Sequence, residues 1–202
     1  MASVSNERRL ALFDFDGTIT KSDSMFRFVR FTVGDLRFAL GMLVLSPMFL
    51  LLKLKVISNS KAKQWMMQYF FAGLDERSFN RAATEYSLSH IDKILRPQAI
   101  EKIEWHKAQG HTVVLVSASM ESWLKPWCDQ NGLRLISTQL EFINGVISGR
   151  LVGKNCHGIE KVKRVKKQYD LSQYAYIYAY GDSRGDKELL ALADESYYKP
   201  FR

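Results

Sequence analysis

The sequence predicts an α/β protein: a parallel sheet sandwiched by helices, with a small all-helical cap inserted after the first strand. Three observations carry this expectation. The apolar run Leu10 to Phe13 ends in Asp14-Phe15-Asp16-Gly17-Thr18, as a buried parallel strand does when it delivers acids to a sheet edge. From Ser24 to about Ser89 the apolar residues keep helical spacing, and strand signals are few. From Pro97 onward, helical segments alternate with β-branched runs. The core is therefore expected at 1–20 and 96–202, and the cap at 21–95.

Taken in order, Gly34, Pro47, Ser58-Asn59-Ser60 and Gly73 divide the insert into helices. Pro97 then opens a helix that Gly110 ends, with Ile100, Ile103 and Trp105 as its apolar positions. Thr112 to Val116 reads as a strand covered on both faces, ending at Ser117-Ala118-Ser119. Glu121 to Gln130 is a helix stopped by Asn131-Gly132, Leu133 to Ser137 a third strand, and Leu140 to Val152 a hairpin turning at Asn144-Gly145. A helix from about Gly158 to Gln168 precedes a tyrosine-dense strand, Tyr174 to Tyr180. That strand delivers Gly181-Asp182-Ser183-Arg184-Gly185-Asp186 and a last helix through Leu189, Leu190 and Leu192.

Length and charge narrow the partners. A chain of 202 residues accommodates one sizeable core plus a smaller unit. Its net charge of +8 points to anionic partners: phosphate esters, a lipid surface or nucleic acid. Nucleic acid is not expected, because the basic segment Lys161 to Lys167 has no aromatic stacking platform beside it. Cys128 and Cys156, without C-x-x-C spacing, fit a reducing compartment. The polar Met1 to Arg9, and the acids that interrupt the apolar run after it, argue against a signal peptide. The expected location is the cytoplasm, with a peripheral contact at the inner face of the membrane as the alternative.

That alternative comes from one stretch. Phe38 to Leu52 carries no charge and is flanked by Arg37, Lys53 and Lys55. It is short of the roughly 20 residues that span a bilayer, and Pro47 interrupts it. It reads as the core of the cap or as an interfacial segment with basic flanks on anionic head groups.

Three strand ends carry polar clusters: Asp14/Asp16/Thr18, Ser117/Ser119 and Asp182/Ser183/Asp186. In a parallel sheet these ends share one edge, so four carboxylates converge. Acids so crowded need a cation, and an all-oxygen set favours Mg²⁺ over zinc. A calcium loop would need a third oxygen ligand before the glycine and a glutamate at its twelfth position, and neither is there. The four histidines, His90, His106, His111 and His157, stand outside these clusters and read as surface or packing residues.

Asp14-Phe15-Asp16-Gly17-Thr18, Ser117, Lys161 and Gly181-Asp182-Ser183-x-x-Asp186 resemble the four ordered motifs of the haloacid dehalogenase superfamily, phosphatase branch. The helical insert resembles the cap of its phosphoserine-phosphatase-like group, whose core is Rossmann-like. The resemblance implies hydrolysis of a phosphomonoester through a phosphoaspartyl enzyme. Asp14 would be the nucleophile, and Asp16 the acid and then the base. Mg²⁺ would be held by the Asp14 carboxylate, the Asp16 backbone carbonyl and the Asp182 carboxylate, with Asp186 in support. Helix capping is the competing reading for Asp182 and Asp186.

Ser117, the Ala118 amide, Gly17 and Thr18 would bind phosphoryl oxygens. Lys161 is the expected phosphate-site lysine and Lys154 the second candidate. Asp23 reads equally as a substrate contact or as the N-cap of the first cap helix. Against the phosphoserine phosphatase pattern, Ala118-Ser119 replaces Gly-Gly, Gly185 replaces asparagine and Asp23 replaces glutamate, while Lys61 and Lys63 stand where a cap arginine is usual. Expected substrates are a small phosphorylated metabolite such as phosphoserine, or a lipid head-group phosphate of the phosphatidylglycerophosphate type. A non-catalytic phosphoester-binding or membrane-associated module is the competing class.

Overall fold

A computed structural model describes residues 8–202; the expectation about the polar N-terminus falls mostly on Met1 to Glu7, outside the described residues. Six strands form one sheet in the order β4-β3-β2-β1-β5-β6. β1 (Arg9–Phe13) is central, paired in parallel with β2 (Thr112–Met120) and with β5 (Tyr176–Gly181). Leu10 to Phe13 are fully buried, as a strand covered on both faces requires.

Two strands depart from the sequence expectation. β3 (Arg134–Ile143) is one continuous strand where a strand and a separate hairpin arm were expected. Its first half pairs in parallel with β2, and its second half turns antiparallel to β4 (Val146–Val152) around Asn144-Gly145. β6 (Glu195–Tyr198) was not anticipated. It lies parallel to β5 and shortens the last helix, α9 (Lys187–Leu190), which stops before Leu192.

Five α-helices make up the insert that follows β1: α1 (Ser24–Val33), α2 (Asp35–Val44), α3 (Ser46–Lys53), α4 (Asn59–Phe71) and α5 (Glu76–His90). Chain entry and exit to this insert are backbone-paired at one neck. Lys21 N donates to Ile94 O at 2.7 Å, and Arg96 N donates to Ile19 O at 2.8 Å. α6 (Pro97–Ala108), α7 (Glu121–Gln130) and α8 (Ile159–Gln168) complete the helical layers.

One apolar cluster joins the strand residues Ala11, Phe13 and Leu115 to the insert residues Phe28, Met66 and Phe79, with Phe28 stacked on Trp123 of α7 at 4.6 Å. The insert is thus packed on the sheet layer through a shared core. The run 38–52 lies at its edge: Gly41, Leu45 and Met48 are buried, Phe38, Met42, Phe49 and Leu52 pack half-buried against the cluster, and the remaining apolar side chains include four exposed ones, Leu40, Leu43, Val44 and Leu50.

Candidate active site

The carboxyl ends of β1, β2 and β5 open into a cleft of about 490 Å³ under α1, α3 and α4. Asp14 follows β1 directly, its amide donating to Tyr180 O of β5 at 2.9 Å. The chain then turns at Gly17, whose φ of 84° is left-handed; a Cβ there would meet Asp182 Oδ2 at 2.5 Å. Glycine therefore lets the β1 loop approach the β5 loop. Thr18 Oγ1 donates to Asp14 Oδ2 at 2.9 Å, so this buried hydroxyl holds the acid, and Thr18 does not itself border the cleft.

Lys161 on α8 is 1 % exposed, and its Nζ donates to Asp14 Oδ1 at 2.6 Å and to Asp186 Oδ1 at 2.7 Å. Of the two candidate lysines it is the one brought to the acids, whereas the Lys154 side chain is exposed. Burial disfavours its charge, yet Asp14 and Asp186 outweigh burial and hold its pKa above the ordinary lysine value. Burial lifts Asp14 to about 6 against the pull of Lys161. Asp186 is pressed upward by burial as well, but Lys161 and Ser183 bring it below the usual carboxylate range. Its second oxygen accepts from Asp182 N, Ser183 N and Ser183 Oγ at 3.2, 3.0 and 2.7 Å. The capping reading of Asp186 is thus realised alongside its contact with Lys161.

Among the described residues, Asp14, Asp182 and Asp186 each bring a carboxylate oxygen within 4.8 Å of the others. Three oxygen donors without histidine or cysteine suit a hard divalent cation. Asp182 is raised by desolvation, and the Arg202 guanidinium paired with it shows the carboxylate positioned for a positive charge. The Asp16 carboxylate does not join this set, which leaves only its backbone carbonyl for the role that the resemblance implies.

That carboxylate is held elsewhere. Asp16 Oδ1 accepts from Ser24 N at 2.6 Å, and Oδ2 accepts from Ser119 Oγ at 2.5 Å. Trp123 Nε1 can only donate and gives its proton to Ser24 Oγ at 3.2 Å. Because the Ser119 hydroxyl gives its one proton to Asp16 Oδ2, the Ser24 hydroxyl is the donor to Ser119 Oγ at 3.0 Å. Burial, and then the charge of Asp23, lift Asp16 to about 7, with the Ser119 and Ser24 hydrogen bonds opposing.

At the end of β2 the ladder shifts register between Ser117 and Met120, so the strand runs further than Val116 and bulges at the predicted serine cluster. Ser119 N donates to Ser117 Oγ at 3.0 Å, which leaves the Ser117 hydroxyl hydrogen free to point into the cleft. Ala118 lines the cleft as well, its carbonyl receiving Lys63 Nζ of α4 at 2.5 Å. Burial lowers the Lys63 pKa, opposed by Asp23 and Asp16.

Asp23 caps α1, its Oδ1 accepting from Met25 N at 2.9 Å and Phe26 N at 3.2 Å, so the capping reading is realised, and the residue also borders the cleft. Sequence reasoning missed Ser24 and Trp123 as supports of Asp16. It also set His157 apart from the clusters, yet His157 borders the cleft, packed over Gly185. His106 does serve packing: it is buried between Tyr180 and His111, remote from these acids.

With this geometry established, comparison with known proteins is decisive for the family. The family described as haloacid dehalogenase-like hydrolase matches residues 11–191. The chain belongs to the haloacid dehalogenase-like hydrolases. Protein CicA of Caulobacter vibrioides is 33% identical over 201 residues, covering 98% of this chain and 89% of CicA. A Bordetella pertussis Tohama I protein described as of unknown function shares the fold with a TM-score of 0.84 and 25% identity, over 96% of this chain and 90% of that one.

A phosphoserine phosphatase solved as a phospho-aspartyl intermediate analogue superposes with a TM-score of 0.68 at 16% identity, over 96% of this chain and 87% of its own. The fold of this haloacid dehalogenase-like hydrolase is thus phosphoserine-phosphatase-like, as its motifs led one to expect.

Proposed function

We propose that this hydrolase is an Mg²⁺-dependent phosphomonoesterase working through a phosphoaspartyl enzyme. The observation that carries the reading is the Asp14–Lys161–Asp186 cluster facing Asp182 across Gly17. Asp14, Asp182 and the Asp16 carbonyl would hold the cation, which supplies positive charge for the transferring phosphoryl oxygens. Lys161 adds a fixed positive charge from within the protein, and Ser117 and the Ala118 amide add hydrogen bonds.

An Asp14 carboxylate oxygen attacks phosphorus while the phosphorus–oxygen ester bond breaks, and the departing oxygen takes the Asp16 proton. Water then attacks the aspartyl phosphate, giving its proton to Asp16. The bond from Asp14 to phosphorus breaks, and inorganic phosphate leaves. An Asp16 near 7 can serve in both directions at neutral pH.

The leading substrate is a small phosphorylated metabolite such as phosphoserine, with Lys63 and Asp23 as the cleft's polar contacts beyond the phosphate. A lipid-borne phosphate is favoured instead by one feature: Met48, Phe49 and Leu52 give the cleft an apolar wall. The test is hydrolysis of an aryl phosphate with and without Mg²⁺, for wild type and Asp14→Asn. Metal-dependent turnover lost in the variant supports the reading, and equal turnover in the variant removes it.

A further inference from the structure

Of the fifteen large apolar side chains exposed among the described residues, seven lie between residues 36 and 56, with Leu36 74% and Leu43 71% exposed. The other eight are spread more thinly, the largest group being Ile143, Val146 and Val152 of the β3–β4 hairpin, which is ordinary for a protein surface. The concentrated ones sit on an elbow. α2 and α3 meet at 53° across Leu45, and no single helix among the described residues is long and apolar enough to cross a membrane. The inner side of α2 is fixed by Gly41, where any Cβ would collide with Phe70 and Tyr69 of α4, so Leu40 and Leu43 are turned outward; on α3, Leu50 is exposed as well.

The charge around this surface has one sign. No acidic residue occurs between Asp35 and Asp75, whereas Arg37, Lys53 and Lys55 flank the uncharged run and are exposed. A second copy of this chain seated on the elbow through a two-fold axis would bring these cations toward one another with no acid in the stretch to pair them. An anionic bilayer meets both properties at once, taking leucines into its acyl boundary and cations onto its phosphates.

We propose that the α2–α3 elbow is a docking surface for an anionic lipid bilayer. Its consequence for catalysis, which rests on the phosphatase reading, comes through α3. Met48, Phe49 and Leu52 of that helix line the cleft, while Leu50 and, just past its end, Leu54 are exposed. A docked elbow makes the cleft's apolar wall continuous with the membrane surface. A phosphomonoester carried on an amphiphile then reaches Asp14 with its chains against α3.

The experiment is sedimentation of the full chain with vesicles of phosphatidylcholine alone or mixed with phosphatidylglycerol. Wild type is expected to bind the mixed vesicles and to leave the neutral ones largely unbound. Leu40→Glu/Leu43→Glu/Leu50→Glu abolishes binding. Arg37→Gln, Lys53→Gln and Lys55→Gln each weaken it roughly fivefold. Hydrolysis of a water-soluble aryl phosphate without lipid stays at the wild-type level in these variants, because none of the residues touches the cleft.

Wild type that ignores both vesicle types overturns the proposal, and so does equal binding by the wild type and the glutamate variant. A wild-type dimer that the glutamate substitutions dissociate, without vesicle binding, assigns the surface to a second copy and also overturns it. Vesicle binding as described in a protein without phosphatase activity leaves the docking surface standing and removes the phosphatase reading.

Discussion

Lys161 Nζ lies 2.6 Å from Asp14 Oδ1 although the two residues are 147 positions apart in sequence, and the same nitrogen reaches Asp186 at 2.7 Å. All three side chains are at most 9 % exposed. One buried cation thus ties the acid after β1 to the acid opening the last helix, and α8 exists in this register to deliver it.

Removing that cation leaves two carboxylates buried against one another. Lys161→Met is expected to cost about 3–5 kcal/mol in a urea unfolding experiment. It is also expected to lower turnover at least a hundredfold, since the phosphoryl group loses a fixed positive charge. A variant as stable and as active as wild type would contradict the assigned role.

Asp182→Asn keeps the shape of the β5 loop but removes one of three oxygen anions. The Mg²⁺ concentration giving half-maximal activity should rise by roughly 10–100-fold. Titration of activity after chelation measures it, and an unchanged midpoint argues that the cation sits elsewhere.

Ser119→Ala interrupts the Trp123–Ser24–Ser119–Asp16 chain without touching the nucleophile. Loss of this hydrogen bond to a charged group should lower kcat by roughly 10–150-fold, with KM little changed, since about 1.5–3 kcal/mol is at stake. A rise in KM alone would assign Ser119 to substrate binding.

His106 offers a stability signature independent of catalysis. Burial, together with nearby His111 and Lys102, lowers its pKa from 6.5 to about 3. Below pH 6.5 the unfolded chain gains a proton there that the folded chain refuses. Its contribution is therefore full above pH 6.5 and lost as pH falls toward 3, at up to about 1.4 kcal/mol per pH unit. His106→Gln should flatten that part of the stability profile, measured as urea midpoints across the acidic range.

Much of the site was legible because its residues follow from strand ends, where apolar runs stop and acids begin. Asp14, Ser117 and Asp182 were found in this way, and Lys161 needed the resemblance to be chosen over Lys154. What stayed hidden has a common cause. Ser24 and Trp123 act through directed hydrogen bonds that leave no periodic trace in sequence. β6 is a short edge strand whose apolar content is two tyrosines, so only pairing with β5 reveals it. In 38–52, apolar composition allowed both the cap's interior and an interfacial segment, and the elbow divides the run between them, with Leu45 and Met48 inward and Leu40, Leu43, Val44 and Leu50 outward.

The neck at Lys21–Ile94 and Arg96–Ile19 brings the two crossings of the insert together at a single backbone junction. Everything distal to it enters and leaves the chain at one point, while the Asp14–Lys161–Asp186 linkage is completed wholly on the other side. Altering the distal parts of the five helices therefore leaves the lysine–acid linkage untouched, whereas altering α1 at Ser24 reaches the Asp16 carboxylate directly.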